Sequence, residues 1–239
     1  MKALDQKTTI LFDLDGTLLP LDIDQFLEKY FQLLAKQFTD IAAPKEFITK
    51  LMAATDKMIN NQGSKTNQEV FVSNFGALFA DEKESDLVER FEKFYQHKFP
   101  LLRKGIEADP KVVEIIDKLK DSNYKLVVAT NPLFPLVAIK ERIKWAGLDS
   151  SDFELITSSE NMHYAKPNLG YYKEILKKID SKPEECIMVG NDLGEDMVAQ
   201  QLGVDGFLIE DFLIARDEAE DIKPKWQGSL EEFKNLIID

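Results

Sequence analysis

The sequence contains a single cysteine, Cys186, and only two histidines among its 239 residues. One cysteine cannot form an intramolecular disulfide bond, and it cannot provide the thiolates of a cysteine-based zinc site. Basic residues are also few, since 30 Lys and Arg stand against 43 Asp and Glu and leave a net charge of −13. Nucleic acids and anionic membrane surfaces are bound through basic side chains, so this balance argues against both as partners.

Long hydrophobic runs and glycine-rich phosphate loops are missing too. No segment reaches the ~18 consecutive apolar residues of a membrane span, and residues 1–7 are too polar for a secretory signal peptide, which predicts a cytoplasmic protein. The patterns Gly-x-Gly-x-x-Gly and Gly-x-x-x-x-Gly-Lys do not occur, so the usual dinucleotide and P-loop signatures are excluded. Hydrophobic residues nevertheless make up 44% of the chain, enough for a sizeable core.

Short apolar runs along the chain predict β-strands. Most of them lack polar alternation, which favours strands buried on both faces of a parallel sheet covered by helices. The five runs are 8–12, 125–130, 153–157, 186–190 and 206–209. Helical periodicity alternates with the later runs, which predicts a Rossmann-like, doubly wound α/β core. The helices predicted in this part of the chain are 111–119, 133–145, 169–179, 195–202 and 230–237.

The interval between the first two runs is different, because more than a hundred residues pass there without a convincing strand. Four segments rich in Phe, Leu and Met carry helical periodicity, at 22–38, 45–60, 67–79 and 83–99. The sequence therefore predicts an inserted all-helical domain at 19–103, with 1–18 and 104–239 forming the α/β core. Helices packed on the sheet without a separate domain are the alternative.

Acidic side chains follow two of the predicted strands. Asp13 and Asp15 come directly after the first strand and share a face of it, and Asp192 and Asp196 follow the fourth. Carboxylates this close repel one another, which raises a pKa or requires a cation beside them. The plainer interpretations are a solvated turn at the first strand end and helix capping by Asp192 at the fourth.

Two weaker signals lie at the end of the second strand and beyond the third. Thr130 and Asn131 lie at the end of the second strand, where a hydroxyl and backbone N–H groups are suited to hold a phosphate. Thr and Asn are also common turn formers. Lys166 precedes Pro167, and an isolated lysine in such a place is usually a surface charge. The order of all four signals along the chain gives them more weight than any one has alone.

Together, Asp-x-Asp-Gly-Thr, a strand-end Thr, Lys-Pro and Gly-Asn-Asp-x-x-x-Asp resemble the four sequence motifs of the haloacid dehalogenase superfamily. Segments 1–18 and 104–210 match that pattern in order. The resemblance implies a Rossmann-like core with an α-helical C1 cap inserted between the first two motifs. The second acid of the first motif, Asp15, favours a phosphatase over a dehalogenase.

The resemblance also implies roles for the motif residues. Asp13 is implied as the nucleophile that becomes an aspartyl phosphate, and Asp15 as the general acid for the leaving group and then the base for water. Thr130, Asn131 and Lys166 are implied to bind the phosphoryl oxygens, and Lys166 also to neutralise the nucleophile.

Mg²⁺ is the cofactor that the resemblance implies, bound by Asp13, Asp192 and the backbone carbonyl of Asp15. Asp196 is implied as an outer ligand or as a partner of the motif lysine, and Asn191 as a supporting residue. The expected substrate is a small phosphorylated metabolite. A sugar-phosphate mutase of the same superfamily and a non-catalytic binding or regulatory protein on the same fold are the alternatives.

Overall fold

The computed structural model describes residues 6–215 and 221–238. The first five residues, part of the segment considered for a signal peptide, lie outside the described residues, as do 216–220 and 239. Within the described ranges, no helix is both long and apolar enough to cross a membrane.

Six strands of the described residues form a parallel sheet in the order β3-β2-β1-β4-β5-β6. The strands are β1 Thr9–Phe12, β2 Lys125–Val128, β3 Leu155–Ile156, β4 Cys186–Gly190, β5 Asp205–Ile209 and β6 Trp226–Gly228. Ile10 and Phe12 of β1 pack into one hydrophobic cluster and Leu11 into a second on the opposite face. The predicted doubly wound, parallel α/β fold is confirmed.

Helices cover both faces of the sheet. In chain order they are α1 Ile23–Ala35, α2 Pro44–Ile59, α3 Asn67–Leu78, α4 Glu84–His97, α5 Pro110–Asp121, α6 Leu136–Trp145, α7 Leu169–Lys178 and α8 Leu230–Ile238. Short 3₁₀ helices occupy Phe99–Arg103, Ser150–Asp152, Pro183–Glu185 and Met197–Leu202. The first cluster takes in α1–α6 and α8, whereas the second takes in α7 and the 3₁₀ helix after β4.

Local sequence signals account for several helix starts. The Asp22 carboxylate accepts a hydrogen bond from the backbone N–H of Gln25 at 3.1 Å, which begins α1. Thr66 and Glu69 form a reciprocal capping box at the start of α3. Both helices therefore begin where side chains replace the missing intrahelical partners.

Three elements differ from the sequence-based prediction. Helix α6 begins at Leu136 instead of at 133, because Pro135 disfavours helical backbone in the residue before it. The helix predicted at 195–202 is a turn followed by the 3₁₀ helix Met197–Leu202, since the Asp192 carboxylate accepts the N–H of Glu195 and holds the chain in a turn. Strand β6 was not predicted, because its three residues contain no apolar run.

Helices α1–α4, the predicted insert, pack on the rest of the chain through aromatic side chains. The ring centre of Phe26 lies 6.4 Å from that of Trp145 and 6.0 Å from that of Phe99, and Phe99 stacks on Trp145 at 5.4 Å. Most buried apolar residues of α1–α4 and those on one face of the sheet therefore belong to one cluster. The assignment of 19–103 to a separate domain stays a prediction.

Candidate active site

The first strand delivers two carboxylates to the carboxyl edge of the sheet. Asp13 follows β1 directly, and its backbone N–H donates to the carbonyl of Val189 in the adjacent β4 at 2.8 Å. Asp13 is 9% exposed, and the side chain of Asp15 is 13% exposed. Open α/β sheets form their sites at this edge, so both acids lie where ligands bind in such folds. The solvated turn considered for this strand end is wrong.

The turn after β4 places two more carboxylates at the same edge. Asp196 Oδ2 accepts the backbone N–H of Asp192 at 3.0 Å, and Asp192 Oδ1 accepts the N–H groups of Gly194 and Glu195, both at 2.9 Å. The Asp196 carboxylate lies so close to Gly190 that a Cβ at this glycine would overlap it. The absence of a side chain at Gly190 thus permits the turn.

A buried ammonium group joins these two strand ends. Lys166 Nζ donates to Asp13 Oδ1 at 2.8 Å and to Asp196 Oδ1 at 2.6 Å. Lys166 is 2% exposed, so the interpretation of this lysine as a surface charge is wrong. The structure therefore brings Asp13, Lys166, Asp196 and Asp192 together at one point of the sheet edge.

The end of β2 supplies a hydroxyl and an amide. The carbonyl of Thr130 accepts hydrogen bonds from the hydroxyls of Tyr171 and Thr157, both at 2.8 Å. Among the described residues the Thr130 hydroxyl itself has no hydrogen-bond partner, which leaves it available to an oxyanion. Asn131 Nδ2 donates to Glu195 Oε2 at 3.0 Å, so this amide is tied to the β4 turn.

Asn191 supports the turn that follows Asp15. Its Oδ1 accepts the hydroxyl of Thr17 at 3.2 Å, and its Nδ2 donates to the carbonyl of Phe212 at 2.7 Å. Gly16 has a φ of 79°, and a Cβ there would meet the Asn191 amide. The contacts of Asn191 are therefore with the loop around the site.

One charged residue beside the site was missed by the sequence analysis. Arg142 of α6 is buried, and its Nη1 donates to Asp15 Oδ2. The signal was present in the sequence, because the spacing from Ile139 and to Ile143 puts Arg142 on the apolar stripe of α6. A cation on such a stripe needs a buried partner, and Asp15 is that partner.

Burial and neighbouring charges shift the titration of these groups. Burial raises the pKa of Asp15, the Arg142 guanidinium opposes this shift, and the Asp13 carboxylate adds to it. Burial likewise raises the pKa of Asp196, against the opposing effect of Lys166. Burial disfavours the Lys166 ammonium, yet the Asp13 and Asp196 carboxylates raise the pKa of Lys166 well above its ordinary value. The lysine therefore stays charged.

The donor set at the sheet edge fits Mg²⁺. The carboxylates of Asp13, Asp15, Asp192 and Asp196 gather at this edge together with the Lys166 and Arg142 side chains, and a divalent cation would offset their excess of negative charge. In the described part of the chain, no cluster of three or more Asp, Glu, His or Cys side chains is arranged to hold a metal ion. Two carboxylates and a backbone carbonyl still suit Mg²⁺, because it keeps waters and phosphate oxygens as its other ligands.

An apolar cavity of about 500 Å³ lies between α1–α4 and the segment 133–137, and none of these carboxylates lines it. Leu27, Phe71 and Phe134 are among the residues that line it. None of its lining residues is basic, and none of the predicted site residues lines it. The cavity is therefore unsuited to a phosphate group, which the carboxyl edge of the sheet can accept.

Known proteins resemble this chain over most of its length. The sequence profile of the family described as haloacid dehalogenase-like hydrolase matches residues 10–209. The glyceraldehyde 3-phosphate phosphatase of Methanothermobacter thermautotrophicus is 28% identical over 218 residues, which cover 88% of this chain and 90% of the relative. The pyrophosphatase PpaX of Bacillus anthracis is 23% identical over 233 residues, which cover 96% of this chain and 94% of the relative.

Solved structures share the fold. The HAD phosphatase of Thermococcus onnurineus superposes with a TM-score of 0.60 at 20% identity, over 97% of this chain and 98% of that one. YfnB of Bacillus subtilis, solved bound to magnesium, superposes with a TM-score of 0.59 at 22% identity, again over 97% and 98% of the two chains. At these identities the likeness establishes the fold alone.

Proposed function

The chain belongs to the haloacid dehalogenase-like hydrolase family and is a phosphatase of that family, and from this premise we propose that it hydrolyses small phosphorylated metabolites with Mg²⁺ through a phosphoaspartate on Asp13. The supporting observation is the buried Lys166 ammonium between Asp13 and Asp196, beside Asp192. A carboxylate next to a buried cation is suited to attack an anionic phosphoryl group. The cytoplasm is the proposed location.

In the first step, a carboxylate oxygen of Asp13 attacks phosphorus. The bond from phosphorus to the leaving oxygen breaks, and Asp15 transfers its proton to that oxygen. Lys166 neutralises charge on the nucleophile and on the transferring group, while the Thr130 hydroxyl donates to a phosphoryl oxygen. Burial raises the pKa of the Tyr171 phenol, so it stays protonated and holds the Thr130 carbonyl in place.

In the second step, a water molecule attacks the phosphorus of the phosphoaspartate. The Asp15 carboxylate takes a proton from this water, the bond between phosphorus and the Asp13 oxygen breaks, and inorganic phosphate leaves. Asp196 positions Lys166 through their 2.6 Å hydrogen bond. Mg²⁺, held by Asp13, Asp192 and the carbonyl of Asp15, would supply positive charge to the phosphoryl oxygens.

The substitution Asp13→Asn tests this function. Purified protein with Mg²⁺ is expected to release phosphate from members of a panel of sugar phosphates, nucleotides and phosphoamino acids. Asp13→Asn should lower kcat/KM by about 10³-fold or more, because an amide replaces the nucleophilic carboxylate. EDTA should stop turnover and added Mg²⁺ should restore it. Acid-quenched wild-type protein should carry a phosphoryl group on Asp13, detected by mass spectrometry.

The matched control is Asp121→Asn, at the exposed end of α5, which should leave the rate and the phosphoryl label unchanged. Full activity in Asp13→Asn would mean that another group is the nucleophile. Interconversion of sugar phosphates without phosphate release would identify a mutase instead. No turnover of any phosphate ester would favour a non-catalytic binding protein.

A further inference from the structure

Helix α6 carries a buried guanidinium that holds Asp15 through a single hydrogen bond. Arg142 is 1% exposed, and its Nη1 donates to Asp15 Oδ2. Arg142 Nε and Nη2 and Asp15 Oδ1 are buried without hydrogen-bond partners among the described residues. Guanidinium and carboxylate groups often pair through two parallel hydrogen bonds. This pair uses only one, and it leaves one oxygen of the Asp15 carboxylate uncommitted.

Two aromatic rings restrict the position of the guanidinium. The central carbon of the Arg142 guanidinium lies 4.5 Å from the ring centre of Phe134 and 5.9 Å from that of Phe26. A cation is attracted to a ring face at these distances. Phe134 precedes α6 and Phe26 belongs to α1, so the packing of two separate segments sets where the Asp15 carboxylate is held.

Stability alone does not account for this ion pair. Taking two charges out of water is expensive, and apolar residues of similar volume often replace a buried ion pair without loss of stability. Ile139 and Ile143 beside Arg142 on α6 are fully buried, so the surroundings suit an apolar side chain as well. An arginine at this position is therefore best explained by what it does to Asp15.

The two acids of the first motif have different cations, since Lys166 bonds Asp13 and Arg142 bonds Asp15. We propose that Arg142 is a positioning residue for Asp15: by bonding Oδ2 it fixes the orientation of the carboxyl group that exchanges a proton with the leaving oxygen. This inference rests on the proposed function, in which Asp15 gives that proton in the first step and takes one from water in the second. Arg142 acts through Asp15 and does not contact the phosphoryl group.

The test compares two aryl phosphates of nearly the same shape, p-nitrophenyl phosphate and p-methylphenyl phosphate. The p-nitrophenolate ion leaves readily without a proton, whereas departure of the p-methylphenolate depends on an acid. Because kcat/KM reports the steps up to departure of the leaving group, Arg142→Met should lower it for the methyl ester about 10-fold or more beyond its effect on the nitro ester. Arg142→Lys should recover part of this difference.

A double-mutant cycle separates positioning from packing. In an Asp15→Asn background, Arg142→Met should change kcat/KM for the methyl ester less than about 2-fold, because the carboxylate through which it acts is gone. Lys140→Met, at an exposed position of the same helix, is the control and should leave the ratio of the two esters unchanged. Circular dichroism establishes that each variant is folded.

Either of two results with Arg142→Met overturns the inference. One is an equal loss of kcat/KM for both esters in Arg142→Met, and the other is the same loss with and without the Asp15 carboxylate. If Arg142→Met does not fold, Arg142→Lys is used instead. An unchanged ratio of kcat/KM for the two esters, relative to wild type, then contradicts the inference. A wild-type protein that hydrolyses neither ester, nor any other phosphate, overturns the proposed function and this inference with it.

Discussion

Single residues of the site depend on one another through buried charge. Lys166 is accommodated in the core because the Asp13 and Asp196 carboxylates replace the water that its ammonium has lost. The dependence is mutual, since each carboxylate also relies on the lysine for its neutralisation. Removing one partner from such a group leaves the others buried without compensation, which is a larger defect than the loss of a surface ion pair.

The substitution Lys166→Met is therefore expected to lower the free energy of unfolding by about 3–5 kcal/mol near neutral pH. Burial raises the pKa of Asp196 in the folded state, and the loss of the opposing ammonium is expected to raise this pKa further. A group of this kind favours the folded state at low pH, so the loss should shrink as the pH falls from about 8 to about 5. Urea unfolding of the wild type and the variant at both pH values measures this loss of stability.

Lys178→Met is the control, because Lys178 makes a partly exposed ion pair with Glu174 on the same helix, worth about 0–1 kcal/mol. Its effect should be small at both pH values. A destabilisation by Lys166→Met that does not change with pH would show that lost packing, and not uncompensated charge, is responsible.

How far single residues could be predicted depends on where they lie. Asp13, Thr130 and Asp192 follow strands, and the ends of parallel strands meet, so their neighbourhood was predictable from the sequence. Arg142 was not predicted, because it comes from the middle of a helix and its importance depends on which face of α6 meets Asp15. The catalytic, phosphate-binding and metal-binding roles of the site residues remain predictions.

At the scale of elements, the start of α3 is joined to the core by a buried asparagine. Asn67 donates its backbone N–H to the carbonyl of Met162 at 2.8 Å and its side-chain amide to the carbonyl of Tyr164 at 3.2 Å. Its Oδ1 accepts the amide of Asn61 at 2.9 Å. Asn67 is fully buried, so none of these groups can turn to water when the contact is lost.

Asn67→Ala is expected to lower the free energy of unfolding by about 1–3 kcal/mol, because it removes an acceptor of the Asn61 amide and the side-chain donor to the Tyr164 carbonyl. Chemical denaturation measures this loss, and hydrogen exchange should speed up in segments 61–68 and 159–164. The control is Asn74→Ala on the same helix, where the amide donates to the carbonyl of Val70 within α3. Equal hydrogen-exchange rates in these segments in the two variants would contradict the inference that Asn67 joins α3 to the core.

Elements with many buried apolar positions were predicted well, and those defined by polar contacts were not. Helices α1–α4 begin and end within a few residues of their predicted bounds, since their apolar spacing records the face that packs. The segment after β4 is a turn because the carboxylates of Asp192 and Asp196 bind backbone N–H groups, which periodicity does not report. Strand β6 depends on pairing with β5, a contact that no local signal encodes.

At the scale of the whole molecule, α1–α4 and the α/β core share one hydrophobic cluster. In this cluster the ring of Phe26 in α1 contacts the ring of Phe134, which precedes α6, and the ring of Trp145 at the end of α6. An interface that belongs to the main core differs from the polar contact expected between loosely joined domains. Unfolding of α1–α4 should therefore expose buried side chains of the α/β core, and unfolding of the core should expose those of α1–α4.

Urea unfolding is accordingly expected to occur in one cooperative transition. In a Trp226→Phe variant the remaining tryptophan, Trp145, reports on the interface, while far-ultraviolet circular dichroism reports on the helices of the whole chain. The two curves should coincide. A loss of helical signal that precedes the change in fluorescence would show that residues 19–103 unfold as a separate unit.

The aromatic contacts of Phe26 in α1 with Phe134 and with Trp145 in α6, here called the aromatic seam, also determine which segments can be exchanged with related proteins. A chimera that takes only residues 19–103 from another protein would leave Phe134 and Trp145 facing foreign side chains in place of Phe26 and Phe99. The guanidinium stacked beside that seam would lose Phe26 as well. The exchangeable module is therefore larger than the insert: it includes α6, and grafts that carry both halves of the seam are the ones expected to fold.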